Sequence, residues 1–161
     1  MNFLLGRLAE NPAVQACTTQ QAFLSASSLT EEALILAASY VQNPRPMLIV
    51  KNNLYTAQRL AEKLKSLLSP QVCALFSVEE SLRVEAIAAS PEAMAEKVET
   101  LNRLLNEDQL ICVTHASALV RYLPSPAQFK LCTIVLKTGM DVSMNELKRT
   151  LIAAGYQQTA R

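Results

Sequence analysis

The chain contains little of what most catalytic and metal-binding sites require. Its 161 residues include no tryptophan, one histidine and three glycines. The four cysteines lie far apart, with no CxxC pair of the kind that holds a structural zinc ion. No Gly-x-Ser-x-Gly sequence is present, which excludes the nucleophile elbow of an α/β-hydrolase. The sequence therefore offers no recognisable catalytic or metal-ligand motif.

Long apolar runs and a strong charge of either sign are also missing. No apolar run approaches the roughly 20 residues that cross a bilayer, and the opening MNFLLGRLAE lacks the features of a signal peptide. A net charge of +1 gives no electrostatic reason to expect direct binding to nucleic acid or membrane. Because 50% of the residues are hydrophobic, we expect a compact cytoplasmic protein whose cysteines are free, buried thiols.

Apolar segments of strand length alternate with helical patterns along the chain. The predicted strands are 22–24, 47–50, 72–76, 110–113 and 131–136. The predicted helices between them are 30–40, 54–68, 78–89, 91–105 and 115–122. Strands that alternate with helices of about 10 to 15 residues form βαβ units with a parallel sheet. The predicted fold is a three-layer α/β/α sandwich with a mainly parallel sheet.

Two of these segments predict specific burial. The strand 47–50 is continuously apolar, which is typical of strands buried on both faces of a parallel sheet. The helix 91–105 has one apolar stripe, which we expect to be buried. Its members are Met94, Val98, Leu101 and Leu105.

Residues 20–40 have the order strand, short loop and helix that forms the phosphate site of nucleotide-binding domains. The amino-terminus of such a helix presents unpaired N–H groups and the positive end of the helix dipole. The loop Ser25-Ala26-Ser27-Ser28 has no glycine and no lysine, and Glu31 and Glu32 stand in the first helical turn, where an anion would lie. We therefore predict a degenerate P-loop that binds no nucleotide.

The composition changes after residue 136. Gly139 lies in a predicted turn, and Ser143-Met144-Asn145-Glu146 has the spacing of a capping box. It opens a helix to Ala154, which Gly155 would end. We divide the chain into a degenerate P-loop-like α/β domain, residues 1–136, and the truncated start of a second module, residues 137–161.

Four stretches resemble the N-terminal region of bacterial transcription-repair coupling factors, which is itself similar to the excision-repair protein UvrB. They are the glycine-poor loop 24–28 with its alanine-rich helix, LIVKNNLYTAQRLAEKL, VEESLRVEAIAASPEAMAEKVETLNRL with ICVTHASALVRYLP, and IVLKTGMDVSMNELKRTLIAAGY. UvrB itself would carry an intact glycine-lysine P-loop at residues 25–29. The departure at this loop favours the coupling factors over UvrB.

The resemblance implies a domain like UvrB domain 1a, followed by the start of domain 2. It implies a non-catalytic module that recruits UvrA, mainly through the second module, and so couples removal of stalled RNA polymerase to nucleotide excision repair. It implies no cofactor for this part of the protein. ATP and Mg²⁺ belong to the motor domains of the family's ATP-dependent DNA translocase, and RNA polymerase and DNA are bound by domains outside this chain.

Other interpretations stay open. Serine hydroxyls and helix N–H groups at the 25–28 loop could hold a phosphorylated ligand without glycine. The chain could instead bind DNA directly as part of a helicase-like surface. Lys137, Lys148 and Arg149 could face an acidic partner or lie in solvent as ordinary cations. His115 follows a predicted strand without a neighbouring acid, so we interpret it as a helix-start residue.

Overall fold

The structure, a computed structural model, describes residues 2–18, 23–26, 28–78, 91–153 and 156. The chain forms two compact units, residues 1–121 and 122–161. The division predicted from the sequence, with its boundary at residue 136, stays a prediction.

The described part of the first unit contains three strands and six helices. The helices are α1 (Asn2–Leu8), α2 (Pro12–Ala16), α3 (Leu29–Gln42), α4 (Leu54–Leu67), α5 (Pro91–Asn106) and α6 (Ala116–Leu119). The strands are β1 (Met47–Lys51), β2 (Cys73–Phe76) and β3 (Ile111–His115). The described part of the second unit contains α7 (Pro126–Leu131) and α8 (Met144–Ala153).

Polar caps set where several helices begin. The Asn53 side chain accepts the backbone N–H of Thr56 at 2.9 Å at the start of α4. Ser125 forms a capping box with Gln128 at the start of α7. The helix start predicted at residue 54 is confirmed. The helix predicted over 78–89 falls almost wholly outside the described residues, as does Gly155.

The three strands form one parallel sheet in the order β1-β3-β2. The central strand β3 is buried, and its side chains alternate between the two faces. Ile111 and Val113 join the large apolar core with Leu60 and Leu64 of α4. Cys112 joins a smaller cluster on the other face. That cluster contains Phe76 and Ala118 and is packed by Leu101 of α5 and by Val78. The predicted α/β class and parallel sheet are therefore confirmed, with helices on both faces.

Two predicted strands are wrong. The helix α7 begins after its Ser125 cap and ends at Leu131, so it takes in the first residue of the run 131–136. Residues 132–137 form no strand. Phe23 and Leu24 form no strand either, and Phe23 is fully exposed, while Ala22 lies outside the described residues. A short apolar run does not by itself distinguish a strand from a helix or a loop.

The predicted burial of β1 and α5 is only half correct. The side chains of Met47 and Ile49 pack against the core, but Leu48 and Val50 are 62% and 45% exposed. The prediction of burial on both faces is wrong, because only the face of β1 that presents Met47 and Ile49 is covered by the core. In α5, Leu101 packs against the smaller cluster, whereas Met94 and Val98 are about half exposed. The predicted burial of these two residues is therefore also wrong, because only the carboxyl-terminal part of the stripe packs.

All four cysteines are free thiols. The predicted burial is confirmed for Cys73 in β2 and Cys112 in β3. It is wrong for Cys132, which is exposed because the strand expected around it does not form, and Cys17 is half-buried.

Candidate functional site

The loop predicted to be a degenerate phosphate site leads into α3 through Ser28. The Ser28 hydroxyl oxygen accepts the backbone N–H of Glu31 at 3.2 Å, which satisfies one of the first N–H groups of the helix. Ser25 and Ala26 are exposed and have no regular secondary structure, and Ser27 lies outside the described residues. One of the groups that would face an anion is therefore already bonded within the chain.

An ion pair joins the first turn of α3 to the end of β1. The ammonium nitrogen of Lys51 donates to both carboxylate oxygens of Glu32, at 2.8 and 2.9 Å. The Lys51 and Glu32 side chains keep 20% and 29% of their exposure, so the pair is partly screened by solvent. The chain's own carboxylate thus neutralises the lysine that reaches this loop from the neighbouring strand.

A cleft of about 400 Å³ lies beside the ion pair. Its lining comes from the turn after α2, the loop before α3, α3 and β1. The lining residues are Cys17, Leu24, Ala26, Glu32, Ile35, Leu36, Ile49 and Lys51. The Arg45 guanidinium donates to the Cys17 carbonyl at 2.8 Å, which holds that wall against the end of α3. The cleft is therefore apolar along most of its wall and charged at one end.

His115 lies at the junction of β3 and α6 and is completely buried. Its Nε2 accepts the backbone N–H of Val78 at 3.3 Å. Its position at the start of a helix is confirmed, although α6 ends at Leu119 and not at the predicted Tyr122. This histidine ties β3 to the segment after β2 and does not line the cleft.

Curated proteins named transcription-repair-coupling factor are similar to this chain over most of its length. The protein from Bacillus subtilis (strain 168) is 28% identical over 140 residues, which are 87% of this chain and 12% of that protein. The protein from Staphylococcus haemolyticus is 25% identical over 139 residues, 86% of this chain and 12% of that protein. These matches support the likeness of the chain to one region of the transcription-repair coupling factors. The resemblance inferred from four sequence stretches is thereby confirmed.

The chain spans only about 12% of the length of these coupling factors. No family model and no solved structure matches the chain. The more detailed likeness to UvrB domain 1a therefore stays a prediction. Among the described residues, no helix is long and apolar enough to cross a membrane, and no group of three or more His, Cys, Asp or Glu is placed to hold a metal ion.

The second set of candidate residues lies in the second unit, residues 122–161. Lys148 and Arg149 are exposed on α8, and Lys137 is exposed before a turn at Gly139, whose φ of 83° favours glycine. Neither ion pair found among the described residues involves these three cations. Their role in binding a partner stays a prediction.

Proposed function

We propose that this chain is a non-catalytic protein-interaction module of a transcription-repair coupling factor, and that the module recruits UvrA. The family supports the role, since the sequence matches cover 86% and 87% of the chain. The module would work in the cytoplasm as part of a longer DNA-translocating protein. RNA polymerase, DNA, ATP and Mg²⁺ would be bound by other parts of that protein.

The observation that carries the non-catalytic character is the ion pair between Lys51 and Glu32. A nucleoside triphosphate bound at the start of α3 would have to displace the Glu32 carboxylate from its only described cationic partner. It would also lie beside Glu31, so that like charges would oppose binding. The degenerate P-loop would thus remain part of the fold without binding a nucleotide.

For UvrA we propose the second unit as the contact, with Lys137, Lys148 and Arg149 facing an acidic surface. Capture of this chain by immobilised UvrA tests the proposal. The double variant Lys148→Ala/Arg149→Ala should weaken capture by about ten-fold, since charge pairs at an interface that becomes desolvated contribute strongly to binding. The matched control Arg7→Ala/Arg59→Ala removes two exposed cations of the first unit and should leave capture unchanged.

A titration with ATP and Mg²⁺ tests the proposal that the module is non-catalytic and binds no nucleotide. We expect no binding at micromolar nucleotide and no hydrolysis by the purified chain. Micromolar affinity, or release of phosphate above that of a buffer control, would overturn the non-catalytic interpretation without affecting the UvrA test.

The alternative of a phosphorylated ligand at the 25–28 loop is less well supported. Ser28 already caps α3, and Lys51 already holds a carboxylate. Direct DNA binding is opposed by the net charge of +1, because DNA affinity depends largely on cations that contact phosphates.

A further inference from the structure

The strand β1 forms one edge of the sheet and has main-chain groups that point away from it. The Met47 N–H donates to the Leu110 carbonyl at 3.0 Å, so by alternation the N–H and C=O groups of Leu48 and Val50 point away from β3. None of the described residues forms a hydrogen bond to these groups. The edge therefore offers two donors and two acceptors to a further strand.

The usual protections of an edge strand are missing from β1. At the β2 edge, Thr100 and Arg103 of α5 donate to main-chain carbonyls of β2 and of the segment before it, and no helix in the described part of the chain does the same for β1. The only charged residue of β1 is Lys51, and Glu32 holds its ammonium group at 2.8 Å. An edge lysine that is bound within its own chain repels an incoming strand less than a free one does.

The side chains beside these main-chain groups are aliphatic. Leu48 and Val50 are 62% and 45% exposed, on the face of β1 that the core does not cover. Pro46 has no N–H, so the ladder can gain no donor at the amino-terminal end of the strand. The edge therefore suits a strand that is equally short, aliphatic and uncharged.

We propose that β1 pairs with β1 of a second copy of this chain. The two strands run antiparallel about a two-fold axis at Ile49, so that Leu48 of each copy lies opposite Val50 of the other. Each opposed pair exchanges two hydrogen bonds, and an aliphatic side chain lies beside an aliphatic side chain. Because the contact is closed by the two-fold axis, association stops at a dimer.

The strand β1 is itself the partner that matches this edge. It has the required length and aliphatic side chains, whereas α5 covers the edge of β2. A net charge of +1 produces only weak repulsion between two copies. The contact consists of two short strands and is smaller than a standard interface, so we expect a weak dimer with a Kd of about 0.1–1 mM. It lies in the first unit and does not depend on the proposed UvrA contact.

Sedimentation equilibrium and amide hydrogen exchange test the pairing in the complete chain, at concentrations that span this Kd. We expect a transition from monomer to dimer, and we expect exchange at the N–H groups of Leu48 and Val50 to slow several-fold as the dimer forms. The N–H of Ile49 faces β3 and is the internal control, whose exchange should not depend on concentration.

Charge variants separate this pairing from a general apolar contact. Leu48→Lys/Val50→Lys and Leu48→Glu/Val50→Glu each place like charges opposite one another across the axis, so each variant alone should stay monomeric. An equal mixture of the two should associate, because opposite charges then face each other. Val41→Lys/Val120→Lys is the matched control, because it alters two exposed valines of the first unit outside β1, and it should dimerise like the parent chain. Circular dichroism confirms that each variant folds, and the exchange measurement on the parent chain decides the question if a variant does not.

Three results would overturn the proposal. One is a parent chain that stays monomeric at millimolar concentration. The second is a Leu48→Lys/Val50→Lys variant that dimerises as strongly as the parent chain, which would place the contact outside β1. The third is a dimer in which exchange at Leu48 and Val50 does not slow.

Discussion

The hydroxyl of Tyr40 donates a hydrogen bond to the backbone carbonyl of Gln109 at 2.8 Å. Tyr40 lies near the end of α3, and Gln109 precedes the central strand β3, so the bond joins residues that are 69 positions apart. The Tyr40 ring is buried in the main core. The contact therefore fixes the carboxyl-terminal end of α3 to the segment that leads into the sheet.

Replacing Tyr40 by Phe keeps the buried ring and removes only the hydroxyl. We expect the free energy of unfolding to fall by about 1 kcal/mol, because the Gln109 carbonyl loses its partner in a partly buried setting. Urea denaturation followed by circular dichroism measures the change. Tyr122→Phe alters a side chain that is 95% exposed and should leave the curve unchanged. Equal stability of Tyr40→Phe and the parent chain would show that water replaces the bond.

The strand β2 lies at the opposite edge of the sheet from β1, and α5 protects it. The Val72 carbonyl accepts the N–H of Ile111, so by alternation the Leu75 carbonyl points away from β3. The Thr100 hydroxyl donates to that carbonyl at 3.3 Å, and the Arg103 guanidinium donates to the carbonyl of Gln71. Such coverage prevents an edge strand from pairing with another chain.

The substitution Thr100→Val keeps the shape of the side chain and removes the donor. We expect a loss of about 1 kcal/mol in the free energy of unfolding, together with increased self-association in size-exclusion chromatography with light scattering. Thr150→Val is the control, because the Thr150 hydroxyl bonds within α8, to the Glu146 carbonyl. A strictly monomeric Thr100→Val protein at high concentration would show that this hydroxyl does not guard the edge.

Caps and apolar stripes in the sequence correctly predicted the elements whose structure is set by residues close together in the chain. The helix α4 has an Asn53 cap and an apolar stripe that includes Leu60 and Leu64, and these together fix its start, its length and its buried face. The run 131–136 is equally apolar, but whether it forms a strand depends on the helix that is capped by Ser125. Whether Leu48 and Val50 are covered depends on which elements pack on that face of β1, which periodicity does not contain.

One part of the candidate site could also be predicted from the sequence, and the other part could not. A carboxylate at Glu32 could be predicted at the start of α3, since the helix start is visible in the sequence. The approach of Lys51 could not be predicted, because it requires the end of β1 to lie beside the start of α3 after the sheet and helices have packed. The sequence signal for this contact was Lys51 itself, a positive charge that follows an apolar strand and precedes an asparagine cap.

The ion pair between Arg103 and Glu107 on α5 makes a prediction about pH. Arg103 donates to the two carboxylate oxygens at 2.8 and 3.0 Å, and this hydrogen bonding, together with the nearby positive charge, holds the pKa of Glu107 below its usual value. Because the folded pKa is the lower one, the pair stabilises the fold above the unfolded pKa of the carboxyl, and that contribution is lost as the pH falls through the folded pKa.

Arg103→Gln should therefore return the pKa of Glu107 to its usual range. An NMR titration of the Glu107 side-chain carboxyl measures the pKa directly, independently of any stability lost through the Gln71 contact. The variant Arg59→Gln removes an exposed cation of α4 and serves as the control. An identical Glu107 titration in Arg103→Gln and the parent chain would contradict the assignment.

The four thiols should react in an order set by burial. Burial raises the pKa of Cys73 and of Cys112 to about 11, and it also raises the pKa of the half-buried Cys17. Since the thiolate is the reactive form, iodoacetamide at about pH 8 should label exposed Cys132 first and Cys17 slowly. Peptide mapping by mass spectrometry should find Cys73 and Cys112 modified only after unfolding, and Cys132→Ser should remove the fast phase. Labelling of Cys73 as fast as that of Cys132 would instead mean that β2 opens in the native protein.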